Sequence, residues 1–255
     1  DAIVESLRAA LRAAALGTAN ATAPMPAARA GGTLAGRTVL VSAAGTREAI
    51  DPVRFIGNRS SGKMGYALAA EAARRGARVQ LVSGPTHLEP PVGVSETVRV
   101  ETADEMLAAL AARIAAADVL LMAAAVADYR PRAAATGKIK RGSGPVRLDL
   151  EPTPDLLATL GTHKGERLFV GFALETGDPE AEARAKLRRK GLDLIVANRV
   201  GPGTGFDSDT NAVWIYDAEG LVLETPRLEK SRVAVAILDV VETRLGRAEV
   251  QSGGR

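Results

Sequence analysis

Along the chain, short continuous apolar runs alternate with longer stretches of helical spacing. Residues 38–42, 78–83, 97–100, 119–124, 168–174 and 192–197 read as strands, mostly apolar, with 119–124 apolar throughout. Residues 60–75, closed by Gly76, and residues 178–190 carry a helical pattern. Thr102, followed three positions later by Glu105, spells a capping box and opens another helix. Nearly uninterrupted apolar strands separated by helices predict a parallel sheet covered on both faces. The expected fold class is α/β: a doubly wound, mostly parallel Rossmann-like sheet, whose ligands lie beyond the carboxyl ends of the strands.

Two stretches break the alternation. Residues 127–153 read as a long loop with Gly, Pro and basic residues, ending in an alternating strand at 146–150. Residues 212–216 and 221–224 read as a hairpin around Asp217, Ala218, Glu219 and Gly220. These antiparallel additions are expected to form an arm or flap on the wound core. Near the start, Ile3, Leu7 and Leu11 make one helical stripe, and residues 17–36, rich in Ala, Gly, Thr and Pro, read as a linker. The expected organisation is a terminal helix and linker over 1–36, the α/β domain over 37–248 with a last helix at 231–245, and a tail over 249–255.

Composition then narrows the chemistry. The 255 residues include no cysteine and two histidines, which excludes disulfides, thiolate metal sites, a cysteine nucleophile and a multi-histidine cage. Four Phe, three Tyr and one Trp are too few for a base-stacking platform on single-stranded nucleic acid. A net charge of +3 is too small to call for a polyanion partner. No apolar run approaches the roughly 18 residues of a membrane span, and no signal peptide is present, so the chain reads as cytoplasmic, with no membrane partner.

Several segments can carry chemistry. After the first strand, Ser42-Ala43-Ala44-Gly45-Thr46-Arg47 lacks the G-x-G-x-x-G of a dinucleotide fold, which disfavours a nicotinamide-dependent reductase. Gly57-Asn58-Arg59-Ser60-Ser61-Gly62-Lys63-Met64-Gly65 nearly spells a P-loop, but Met64 stands where the magnesium-binding hydroxyl belongs. Ser60, Ser61, Gly62 and Lys63 still suit an anion, because free N–H groups gather at a helix N-terminus; a plain helix cap is the competing reading. Arg47, Arg54 and Asn58 crowd the approach to that turn. The strand ending Met122-Ala123-Ala124 leaves room for a flat ligand, with Asp128 placed for a sugar hydroxyl, a metal or simply a turn. Lys138-Ile139-Lys140-Arg141 is a basic run in the long loop. Lys186 and Lys190, four apart, share a helix face that spacing alone reads as solvated. His87 and His163 read as surface residues.

Taken in order, these segments resemble the bacterial phosphopantothenoylcysteine synthetase family, the second domain of the bifunctional coenzyme A biosynthesis protein. The resemblance is carried by Thr46-Arg47-Glu48, Ile50-Asp51-Pro52-Val53-Arg54, Asn58, Ser60 to Gly65, Ala124 to Tyr129, Lys138-Ile139-Lys140, Pro154-Asp155, Gly171 to Thr176 and Leu192 to Asn198. It implies a ligase that joins 4′-phosphopantothenate to L-cysteine using CTP and Mg²⁺, through an acyl-cytidylate, releasing pyrophosphate and CMP. It implies CTP contacts at Met122, Ala123, Ala124, Asp128, Lys138, Pro154, Asp155, Leu156, Leu157, Phe172, Lys186 and Lys190. It implies catalytic roles for Asn58 and Lys138 with Arg54 as companion, and phosphate held at Ser60, Ser61, Gly62 and Lys63. It assigns no metal ligands. It further implies a homodimer, and a covalently linked decarboxylase domain ahead of residue 37, to which the bifunctional protein's flavin belongs. One departure is the turn Ala43-Ala44-Gly45-Thr46, where the family often has Gly-Pro or Gly-Gly before the Thr.

Overall fold

The computed structural model describes residues 32–142, 144–175, 179–199 and 208–252. The expected terminal helix and the linker up to residue 31 lie outside the described residues. In chain order the elements are β1 (Thr38–Ala43), β2 (Arg47–Ala49), β3 (Phe55–Gly57), α1 (Lys63–Arg74), β4 (Arg78–Ser83), β5 (Glu96–Arg99), α2 (Ala103–Ile114), β6 (Val119–Met122), β7 (Tyr129–Pro131) and β8 (Leu150–Pro152). They continue with α3 (Leu156–Gly161), β9 (Leu168–Glu175), α4 (Pro179–Lys190), β10 (Leu194–Arg199), β11 (Thr210–Asn211), β12 (Val213–Tyr216), β13 (Leu221–Glu224), β14 (Leu228–Glu229) and α5 (Lys230–Ser252).

Eight strands form the central sheet in the order β13-β12-β10-β9-β6-β1-β4-β5. The six from β10 to β5 are parallel, and β12 and β13 add an antiparallel edge. The parallel order is that of a doubly wound sheet, with the reversal between β1 and β6. Side chains alternate across it. Val39, Val41, Leu121, Val170 and Val196 face a layer built from Leu68 and Ala72 of α1 and Val233, Ile237 and Val241 of α5. Leu40, Leu120, Phe169 and Ile195 face Met106 and Leu110 of α2, Leu160 of α3 and Leu187 of α4. Burying each such Leu or Phe contributes about 1.5–3 kcal/mol. The capping box of Thr102 and Glu105 is present as expected.

Five features differ from the sequence reading. The alternating stretch 146–150 is not a strand; Val146 and Leu148 are exposed, and pairing begins at Leu150, opposite Pro131. The first helix opens at Lys63 rather than 60, because Gly62 takes the left-handed conformation (φ +84°) that ends the incoming loop. The hairpin 213–224 is no free arm, since β12 pairs with β10 and extends the main sheet. The last helix continues to Ser252 instead of giving way to a tail. At the other end Leu34 is buried and its N–H donates to the Arg75 carbonyl at 2.9 Å, so the folded unit begins ahead of Arg37.

Candidate active site

The site lies where β1 and β6 leave the sheet side by side and their connections diverge. The turn after β1 and the segment after β6 are laced together. Ser42 Oγ accepts from Ala124 N at 3.1 Å, Ala44 O from Ala125 N at 2.8 Å, and Thr46 Oγ1 from Ala127 N at 2.9 Å. Ala44 holds φ +64°, a conformation that costs a residue with a Cβ about 1–2 kcal/mol. Thr153 N donates to Asp128 O at 3.0 Å and closes the far side. Small residues at 123–127 are what allow backbone to be threaded this tightly.

Asn58 leans over that lacing. Its Nδ2 donates to Ala125 O at 3.1 Å and Val126 O at 3.0 Å. Two carbonyl partners fix the amide's orientation and leave Oδ1 as an acceptor.

Beside it opens a cleft of about 480 Å³, within the range of small-molecule sites. Met122, Ala123, Ala124, Asp128, Pro154, Asp155, Leu156, Leu157, Phe172, Lys186 and Lys190 all line it, together with Asn58. Residues from Asn58 to Lys190, far apart in sequence, thus share one space. Asp155 caps α3, accepting from Ala158 N at 3.1 Å, and pairs with Lys190. Lys186 Nζ donates to the Phe172 carbonyl at 3.0 Å. Both ammonium groups are therefore on the cleft wall rather than on a solvated face, which overturns the reading from spacing.

A smaller cavity of about 70 Å³ lies behind the same wall, lined by Ser60, Ser61, Gly62, Lys63 and Gly65, and by Asn198, Asn211 and Lys230. The two cavities share Ala123, Phe172 and Leu174. Ser60 and Ser61 do not cap α1: Gly62 is the cap residue, and no side chain closes it. Lys63, Met64 and Gly65, the first residues of α1, line this cavity. Lys63 Nζ pairs with Asp209 at 2.7 Å, and that ammonium holds the Asp209 carboxyl below the usual range.

Arg54 and Lys138 line neither cavity. Arg54 instead grips Asp51, whose carboxylate also accepts from Ile139 N at 3.1 Å. The Arg54 guanidinium, outweighing burial and aided by backbone N–H groups, holds the Asp51 carboxyl well below the usual carboxylate range. Asp51 reads in the sequence only as part of the 50–54 segment, with no role of its own. Its signal was the Asp-x-x-Arg spacing, in which a turn carboxylate reaches its own i+3 neighbour.

Among the described residues, no three His, Asp or Glu side chains gather as a metal site, and no helix is long and apolar enough to cross a membrane. His87 and His163 are exposed, as expected.

Residues 34–245 match the family described as DNA/pantothenate metabolism flavoprotein C-terminal domain. The chain belongs to this family. It is 49% identical over 224 residues to the coenzyme A biosynthesis bifunctional protein CoaBC of Mycobacterium bovis, covering 83% of this chain and 53% of that protein. It is 46% identical over 209 residues to the CoaBC protein of Bacillus subtilis, covering 82% and 52%. The chain thus spans about half the length of the curated relatives it matches. A crystal structure of the C-terminal domain of a CoaBC protein superposes with a TM-score of 0.73 at 45% identity, covering 85% of this chain and 99% of that one. The family match begins at residue 34, close to where the fold takes up the chain.

Proposed function

We propose that this chain is a phosphopantothenate–cysteine ligase of coenzyme A biosynthesis. It joins 4′-phosphopantothenate to L-cysteine at the expense of CTP. The observation that carries the reading is the cleft at the β1/β6 reversal. There, in a member of this family, Asn58, a small-residue strand end and two lysines converge on one space. In the first step a carboxylate oxygen of phosphopantothenate attacks the α-phosphorus of CTP, and pyrophosphate leaves. In the second the cysteine amine attacks the acyl carbon, CMP leaves, and the amine loses a proton. No protein nucleophile is needed, which agrees with a chain lacking cysteine. The protein's tasks are positioning and neutralising charge.

In this reading Lys186 and Lys190 hold the nucleotide, Phe172 sits against it, and the helix start at Ser60–Lys63 receives phosphate through the shared wall. Asn58 Oδ1 is the free acceptor for the incoming amine of cysteine. Lys138 stabilises charge on the phosphates in the first step. Mg²⁺ supplies charge neutralisation on the triphosphate. Asp128 is the cleft carboxylate not paired with a lysine, and one carboxylate plus phosphate oxygens suits that ion. We also assign a homodimer, a cytoplasmic location and a linked decarboxylase domain to the complete protein. The dimer is supported by the half-exposed Phe55, Tyr129 and Leu150 on the small antiparallel sheets.

The test is one assay: purified chain, 4′-phosphopantothenate, cysteine, Mg²⁺ and each nucleoside triphosphate in turn, with products read by mass. The amide with cysteine, and the acyl-cytidylate when cysteine is left out, are expected with CTP. Nucleotide hydrolysis without any acylated product would overturn the reading.

A further inference from the structure

Between β7 and β8 the described residues form no strand or helix, yet the chain is fastened at Ile139 and at Ala135. Asp51 Oδ1 accepts from Val53 N at 2.8 Å and Arg54 N at 2.9 Å, which folds residues 51–54 into a closed turn. Asp51 Oδ2 accepts from Arg54 Nε at 3.0 Å and Nη2 at 2.5 Å, and from Ile139 N at 3.1 Å. Arg54 Nη2 also donates to Ile139 O at 2.7 Å. Both backbone polar groups of Ile139 are thus held by one ion pair. A second tie runs from Ala135 N to Ile50 O at 2.9 Å. The Asp51 side chain is fully buried, whereas that of Arg54 is half exposed.

From this geometry we infer that Asp51 is a positioning residue for the first half-reaction: through Arg54 it fixes the backbone at Ile139 and so presents the neighbouring Lys138 to the nucleotide's phosphates. The inference rests on the role given to Lys138 above. A buried carboxylate that collects five donors has one conformation open to it, and the loop inherits that order. Arg54 acts in the same clamp, which accounts for its absence from both cavity walls.

The experiment is a double-variant cycle on the two half-reactions, using Asp51→Asn, Lys138→Gln and their combination. Acyl-cytidylate formation is followed without cysteine. Conversion of isolated acyl-cytidylate is followed with cysteine. Asp51→Asn is expected to slow the first step about tenfold or more at saturating CTP and to alter the second less than about twofold. The combined variant is expected to be no slower than Lys138→Gln alone. Trypsin cleavage after Lys138 is expected to accelerate about tenfold, reporting loop release without reference to catalysis. Additive losses, equal slowing of both steps, or an unchanged first step in Asp51→Asn beside a slowed Lys138→Gln would overturn this inference alone. An unchanged first step in Lys138→Gln would overturn the role of Lys138 and this inference with it. If Asp51→Asn does not fold, Arg54→Lys carries the same readouts, because an ammonium cannot hold Asp51 and Ile139 together as a planar fork does.

Discussion

Asn58 is held in one orientation by the segment that follows β6. Its two amide protons are committed to the Ala125 and Val126 carbonyls. Asp at this position has nothing to donate, and its negative charge would face two carbonyl oxygens. Asn58→Asp is therefore expected to slow product formation by about a hundredfold or more, the scale of losing one fixed polar group at a reacting centre. The first step should persist, so acyl-cytidylate should accumulate when all substrates are present. Quenched-flow samples read by mass check this; normal turnover in a folded variant would remove Asn58 from the second step. Asn58 was legible because its neighbours spell an ordered pattern. Asp51 was not, because a carboxylate in a polar loop looks solvated until the chain brings Ile139 back against it. Ser60 and Ser61 misled as caps for a related reason: the positive φ of Gly62 decides where α1 starts, and hydroxyl spacing does not reveal it.

At the scale of elements, α1 carries both the site and the fold. A Cβ at Gly65 would lie 2.5 Å from Ala43 Cβ and 3.0 Å from Ala43 Cα, so α1 rests directly on the end of β1. Gly65→Ala is expected to destabilise by about 1–3 kcal/mol in urea unfolding, and to weaken nucleotide binding by moving the helix start away from the shared cavity wall. Unchanged stability would mean that the helix yields without resistance. Farther along, Arg75 ties α1 to α5: it pairs with Glu71 at 2.7 Å, Asp239 at 2.7 Å and Glu242 at 2.9 Å. Arg75→Ala takes from the partly buried Asp239 and Glu242 the guanidinium they share and leaves Glu71 to Arg74, and is expected to cost about 1–3 kcal/mol. Burial alone would push the Glu71 carboxyl up, but the Arg74 and Arg75 guanidiniums outweigh it, and its pKa lies below the ordinary 4.5. Its contribution is present above that ordinary value and is lost as pH falls through the lower folded one. Asp239 is pushed up by burial and opposes this, favouring the fold where it is protonated. Glu71→Gln is thus expected to flatten the acid side of the stability curve, with urea midpoints between about pH 5 and 3 as the check. A curve as steep as that of the unaltered chain would place acid lability elsewhere. The helices other than α3 were legible as periodicity, and the parallel strands as apolar runs. The short strands β2, β3, β7 and β8, at three paired positions each, fall below any period a sequence can display.

For the whole molecule, the doubly wound order follows from alternating apolar runs and helices, and it alone places the site at the β1/β6 reversal. What the sequence does not display is the outer side of the small sheets. There β2 packs beside β7, and the flanking chain leaves Val53, Phe55, Tyr129 and Leu150 about half exposed. Phe55 is braced by the Arg47 guanidinium, 4.5 Å from its ring centroid, so the ring is ordered although it lies outside the core. Burying four such side chains against a second copy would supply the apolar centre of an interface of roughly 1,600 Å². The same elements carry the Asp51 clamp and the Lys138 loop, so a partner seated there would steady the first half-reaction as well as the fold. Sedimentation at micromolar concentration is expected to give twice the chain mass. Phe55→Asp with Leu150→Asp is expected to give the monomer mass, since two carboxylates on each partner would have to lose water against an apolar surface. Dissociation should raise the trypsin sensitivity of the Lys138 loop and slow acyl-cytidylate formation more than its reaction with cysteine. A monomeric unaltered chain with full activity would show that the exposed rings serve another surface, and that Asp51 and Arg54 order the loop unaided.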